Sequence, residues 1–197
     1  MVLAYHIIFC AYGFWLPNDP RGSNSWEVRA EHLKPFGEAT FVSDRRSRAR
    51  DSHDRSLRAA AKRALWQPAV RFTGLQAQAI GIGFAKYARK SEVDCYACAI
   101  LPEHVHMVIA RHDYKVEQVV NLLKGAATTE LISRGLHPGQ VDGAMVHDWY
   151  RVWGRNLRKV FLNTSKEIVD RIRYVENNPA KEGKPKQVWS FVKAFEG

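Results

Sequence analysis

Two apolar runs, residues 93–100 and 104–110, are separated by only Leu101-Pro102-Glu103. A parallel pair needs a crossover of a dozen or more residues, whereas an antiparallel pair needs only a tight turn. The two runs are therefore expected to pair as a hairpin. Both are almost wholly apolar, so the hairpin must be covered by other elements. This commits the middle of the chain to an antiparallel sheet with something packed against it.

The flanking sequence supplies the covering. Thr73-Gly74-Leu75-Gln76 has the Thr-x-x-Gln spacing of a capping box and opens a helix expected to run to Lys90. Residues 116–134 carry Val119, Val120, Leu123, Ala126, Ala127 and Leu131 at helical spacing. Residues 2–12 are rich in β-branched and aromatic side chains and read as a central strand, and another strand is expected around residues 158–162. Thr164-Ser165-Lys166-Glu167 is a second capping box, whose helix must end before Pro179. Residues 135–143 read as a loop. The basic tail carries an apolar patch at residues 188–192 suited to docking on the core. The order strand, helix, strand, strand, helix, strand gives an α+β class: an antiparallel sheet with helices packed on it. With 197 residues the chain suits one domain, and residues 24–70, where the pattern weakens, read as an insertion with a short helix near 54–66.

Charge narrows the partner. Thirty Lys and Arg against twenty Asp and Glu leave a net +10. The excess concentrates at residues 43–63 and 151–193. Such patches fit a polyanion, most often nucleic acid. There is no run of about 18 apolar residues that would span a membrane. The first residues carry no basic leader, which argues against a signal peptide. Three cysteines fit a reducing, cytoplasmic setting, consistent with a nucleoid-associated protein.

The sharpest chemical signal is His104-Val105-His106. On a strand, residues i and i+2 share a face, so both imidazoles project side by side while Val105, Met107 and Ile109 face the core. Two neutral imidazoles on a rigid strand form half of a divalent-metal site, although His-x-His alone is also a common chance pattern. About 70 residues later, Tyr174 and Asn178 stand at i, i+4 on the last helix, away from the face marked by Ile168, Ile172 and Val175. Arg171 lies one turn before Tyr174. Cys95 and Cys98 have C-x-x-C spacing, but no second pair exists; on a strand they should face opposite ways as small buried residues. Trp149, Tyr150 and Trp153 are interleaved with Arg151, Arg155 and Arg158. That pattern suits base stacking beside phosphate contacts as well as it suits core packing.

The combination of a His-x-His strand with a late-helix tyrosine resembles the HUH superfamily of single-strand DNA nucleases. Within it, the chain is most similar to the REP-associated tyrosine transposases. The likeness runs from Tyr5-His6-Ile7-Ile8-Phe9 through Gly13-Phe14-Trp15-Leu16 and Asp19-Pro20-Arg21-Gly22 to Pro102-Glu103-His104-Val105-His106-Met107. It continues in Trp153-Gly154-Arg155-Asn156 and closes in Tyr174-Val175-Glu176-Asn177-Asn178-Pro179. It implies a ferredoxin-like sheet and a tyrosine nucleophile, Tyr174, that forms a 5′-phosphotyrosine intermediate. It also implies a divalent metal, Mg²⁺ or Mn²⁺, held by His104, His106 and the Asn178 oxygen. The implied partner is single-stranded DNA with hairpin structure from mobile elements, bound by a monomer or a homodimer. Arg45, Arg46, Arg48, Arg50, Arg155, Arg158 and Arg171 are the expected DNA-binding cations. A scaffold that binds a hairpin without cutting it is the alternative, and a water-using phosphodiesterase with a structural Tyr174 is a third. The set His104, His106, Tyr174 and Asn178 favours cleavage, because a pure binder needs none of the four.

Overall fold

The hairpin expected around Leu101-Pro102-Glu103 forms one side of the sheet in the computed structural model, which describes residues 1–22, 25–41, 51–147 and 149–197. Its strands are β2 (Cys95–Ile100) and β3 (His104–Ala110). Strand β1 (Ala4–Ala11) pairs antiparallel with β3 on one side and with β6 (Trp153–Leu162) on the other, giving the order β2-β3-β1-β6. Between them lie α2 (Gly74–Lys90), which joins β1 to β2, and α3 (Val116–Ser133), which joins β3 to β6. This β-α-β-β-α-β path through a four-stranded antiparallel sheet is the ferredoxin-like α+β arrangement.

Alternation along the strands sorts the side chains onto two covered faces. Ile7, Phe9, Val105, Met107 and Ile109 meet Ile80 and Phe84 of α2 and Val119, Val120 and Leu123 of α3 in the main core. The opposite face buries Ala4, Ala97, Ala99, Val108 and Leu162 under Ile168 and Val175 of α4 (Ser165–Glu176). That second layer matters, because the His-x-His side chains point into it and it shields them from water.

Capping explains where the helices start. The hydroxyl of Thr73 accepts from the Gln76 amide at 3.2 Å while the Gln76 side chain accepts from the Thr73 amide at 2.9 Å, closing the expected box. Thr164 forms only half of one: its hydroxyl accepts from the Glu167 amide, but the Glu167 carboxylate accepts from Asn163 instead. The helix opened by Thr164 ends before Pro179 as expected, but too soon to include Asn178. It stops at Glu176, with Asn177 as cap, and a separate turn, α5 (Asn178–Lys181), begins with Pro179 in its first turn. Tyr174 and Asn178 thus stand on two helices rather than on one face of one. Strand β6 starts at Trp153, earlier than the pattern indicated. The expected loop at 135–143 contains β4 (Gln140–Val141), which pairs with β5 (Ala144–Met145).

The tail docks as expected through Phe191 and Trp189, while Val188 stays exposed. A Cβ on Gly81 of α2 would come within 2.3 Å of the Trp189 ring, so that helix position has room for hydrogen alone. Cys95 and Cys98 are buried as expected, but they do not face opposite ways. A register shift between Cys95 and Ala97 brings both into the main core, where burial pushes both thiols upward. Between β1 and α2, a 3-10 helix (Glu31–Phe36) and α1 (Arg55–Arg63, capped by Asp54) pack Leu33 and Ala61 with Leu16 in a small cluster of their own. Arg45, Arg46, Arg48 and Arg50 lie outside the described residues. Among the described residues, no helix is long and apolar enough to cross a membrane.

Candidate active site

Antiparallel register assembles the site. Ile8 of β1 sits opposite His106 of β3, and Cys10 sits opposite His104, so His6 is the diagonal neighbour of His106 on the same face. The two rings stack with centroids 5.3 Å apart and an interplanar angle of 12°. His6 Nε2 and His106 Nδ1 are 3.1 Å apart in a buried hydrogen bond. His104 lies 4.9 Å from His106, ring to ring. Three histidines therefore line one face of two central strands. The sequence pattern singled out only two of them, since a lone His in a strand carries no periodic signal; only the strand register brings it beside the pair.

A chain of contacts fixes His104. Arg21 donates from Nε to Asp19 Oδ1 at 2.8 Å, and Arg58 Nε lies 3.1 Å from the buried Asp19 carboxylate. The Arg21 guanidinium sits 4.1 Å over the Phe14 ring, and Phe14 stacks on His104 at 5.0 Å and 13°. The Asp19-Pro20-Arg21-Gly22 motif thus acts as a brace behind Phe14. Gly13 lets the loop pass: its φ is +77°, and a Cβ there would come within 2.7 Å of Leu65.

Helices α4 and α5 close the face from above. The Tyr174 ring stands edge-on to His6 at 5.7 Å and to His106 at 5.8 Å. Arg171 lies 5.4 Å from the Tyr174 ring centroid and Lys181 Nζ lies 4.4 Å from it. Asn178 is buried. Glu182, just past α5, places a carboxylate oxygen 3.9 Å from His104 Nε2, and burial raises its pKa.

Burial governs the titration of this cluster. Desolvation, then Arg171 and Arg158, lowers His6 to about 3. Desolvation and then Arg21 lower His104 to about 4. His106 is held well below the free imidazole value by desolvation first, then by His104, His6, Lys181 and Arg171. All three are neutral at pH 7, the form in which imidazole offers a lone pair.

The residues present fit a divalent cation. His104 Nδ1 and Asn178 Nδ2 are buried with no hydrogen-bond partner. A buried polar group without a partner is costly, which a ligand can relieve. An amide whose nitrogen is orphaned can turn and present its oxygen. Among the described residues, no three His, Cys, Asp or Glu side chains form a metal-holding group. A cation here would therefore draw on two imidazoles and an amide, with phosphate or water oxygens completing its shell.

The other expected site residues divide. Arg171 and Arg158 border the histidine cluster and bias its charge. Arg155 is exposed in a separate cleft. The aromatic series also splits. Trp153 packs among Phe9, Phe72 and Phe84 and donates Nε1–H to Thr128, Tyr150 is wedged against Gly139, and Trp149 is exposed.

No family model matches the chain, and no curated protein matches it. Solved structures similar in chain course include two transposases. One is a REP-associated tyrosine transposase bound to a REP hairpin, at 14% identity and TM-score 0.48, covering 96% of this chain and 74% of that one. The other is a candidate transposase from Deinococcus radiodurans R1, at 13% identity and TM-score 0.40, covering 90% of this chain and 91% of that one. The chemistry of the site rests on its own side chains.

Proposed function

We propose that the protein is a transposase-like nuclease that cuts single-stranded DNA with Tyr174 as nucleophile. One observation carries this reading. A tyrosine on the helical layer meets the rings of buried neutral histidines on the central strands, with two cations at its own ring. A structural tyrosine needs no such surroundings.

His104, His106 and the Asn178 oxygen would hold a divalent cation, and imidazole ligands suit Mn²⁺ better than Mg²⁺. When bound, it supplies a Lewis acid that draws charge off the scissile phosphate. The chain's own groups do the rest. The Tyr174 oxygen attacks phosphorus and gives up its proton to solvent. The bond from phosphorus to the 3′ oxygen breaks, and that oxygen takes a proton to leave as a hydroxyl. The product is a 5′-phosphotyrosine. Arg171 and Lys181 lie where they offset the negative charge shared by phosphate and phenolate. The ester conserves the energy of the broken bond, so another 3′-hydroxyl can rejoin the strand without ATP.

The test is incubation with a hairpin-bearing single-stranded oligonucleotide and Mn²⁺, followed by denaturing electrophoresis. The wild type should leave an SDS-resistant protein–DNA adduct and Tyr174→Phe none, with binding retained. His104→Ala should also abolish the adduct, whereas Asn178→Ala should weaken it less because water can replace an amide oxygen. Binding without cleavage by the wild type would favour a hairpin-binding scaffold; cleavage without an adduct would assign the nucleophile to water.

A further inference from the structure

The segment between β1 and α2 is tied to the sheet. Its Gln67 side chain, buried, accepts from the Arg151 amide at 2.7 Å and donates to the Arg151 carbonyl at 2.8 Å, tying residue 67 to the segment leading into β6. Between these two segments lies a cleft of about 780 Å³, within the range of pockets that hold small organic ligands. Its walls carry Trp15, Trp66, Trp149, Arg151 and Arg155. The cleft is separate from the histidine site but linked to it through one loop, because Trp15 in its wall directly follows Phe14, the residue stacked on His104. Lys124 donates to the Gly154 carbonyl at 2.8 Å, holding the start of β6 that forms the cleft floor.

Two of its indoles share an uncommon arrangement. Trp66 is 75% exposed and stacks on His32, with centroids 4.7 Å apart and planes at 21°. Trp149 is 53% exposed and stacks on His147 at 4.7 Å and 11°. Each ring is braced on one face by an imidazole while much of its surface stays in water. Large apolar rings left exposed, braced and bordered by arginines match what an unstacked base needs: a flat π-surface, with positive charge nearby for the phosphate. An apolar peptide would find no reason for the arginines, and the net +10 of the chain opposes a basic partner.

We infer that this cleft is a nucleobase-binding subsite, which stacks unpaired bases of a single strand on Trp66 and Trp149. The inference rests on the reading of the protein as DNA-acting, but concerns binding alone. The subsite tolerates any base, since every base has a stacking face, and it discriminates single strands from duplex, whose bases are unavailable.

The test uses the full chain carrying Tyr174→Phe, in EDTA, so that neither cleavage nor metal contributes. A fluorescein-labelled single-stranded oligonucleotide is titrated by anisotropy over a range of salt. Adding Trp66→Ala should weaken binding by about tenfold, and Trp66→Phe should restore most of it. Neither should alter the slope of log affinity against log salt, because no phosphate contact is lost. Arg151→Ala or Arg155→Ala should instead reduce the magnitude of that slope by about 0.7 each. A blunt duplex should show no dependence on Trp66. Unchanged single-strand affinity in both Trp66→Ala and Trp149→Ala, or no single-strand binding at all, would overturn the subsite. Loss of affinity in Trp66→Ala, together with no adduct from the wild type, would leave the subsite standing and remove the nuclease.

Discussion

The bond between His6 and His106 decides which nitrogen can meet a cation. A ligand imidazole normally donates its second N–H to a nearby acceptor, which fixes its tautomer. If His106 Nδ1–H donates to His6 Nε2, the Nε2 lone pair of His106 is left for the metal; the reverse donation would block it. His6 is then a positioning residue. His6→Ala should weaken Mn²⁺ binding about 10- to 100-fold by isothermal titration, while His6→Gln, whose amide oxygen can still accept, should lose less. Equal Mn²⁺ affinity in wild type and His6→Ala would remove His6 from the site. The sequence showed His104 and His106 plainly, because a period of two on a strand is a local property. It did not show His6, nor the brace from Asp19 through Arg21 and Phe14 to His104, because both depend on cross-strand register and loop packing.

At the scale of elements, the helices were legible through their caps and the strands through their apolar runs. Residues 74–90 form a helix just where Thr73 and Gln76 announce it. Replacing Thr73 with Ala removes one side of a closed box and should cost about 1 kcal/mol, lowering Tm by about 2–4 °C for a chain of this size. Thr164→Ala, whose box is only half formed, should cost no more than Thr73→Ala in the same thermal melts. The break between α4 and α5 was less legible. Pro179 signals that a helix stops, but the sequence does not say that the chain turns straight into another short helix with Asn178 buried beneath it.

For the whole molecule, the antiparallel α+β class followed from the sequence of elements, whereas the ferredoxin-like strand order was an implication of the family resemblance. In the segment between β1 and α2 the short helix was legible, but its packing was not, since its small cluster and its link through Gln67 draw on residues far apart in the chain. The histidines of the site, His6 buried and His104 partly buried, also make the whole fold sensitive to acid. His6 and His104 have folded-state pKa values of about 3 and about 4, below the free value of 6.5. As pH falls, the unfolded chain takes up their protons first. Stability is thus fully present above about pH 6.5 and declines toward pH 4 at about 1.4 kcal/mol per pH unit for each histidine. Urea midpoints measured across that window should fall steeply in the metal-free wild type and less steeply in His6→Gln. A flat profile would mean that these imidazoles are protonated in the fold.

The central claim is that a tyrosine on the helical layer and histidines on the strands act together on one phosphate. It is tested most directly by digesting the protein–DNA adduct and locating the bound nucleotide by tandem mass spectrometry. The account predicts a 5′-phosphonucleotide on the peptide containing Tyr174, attached at that residue. A nucleotide on any other side chain, or cleaved DNA with no modified peptide, would contradict it.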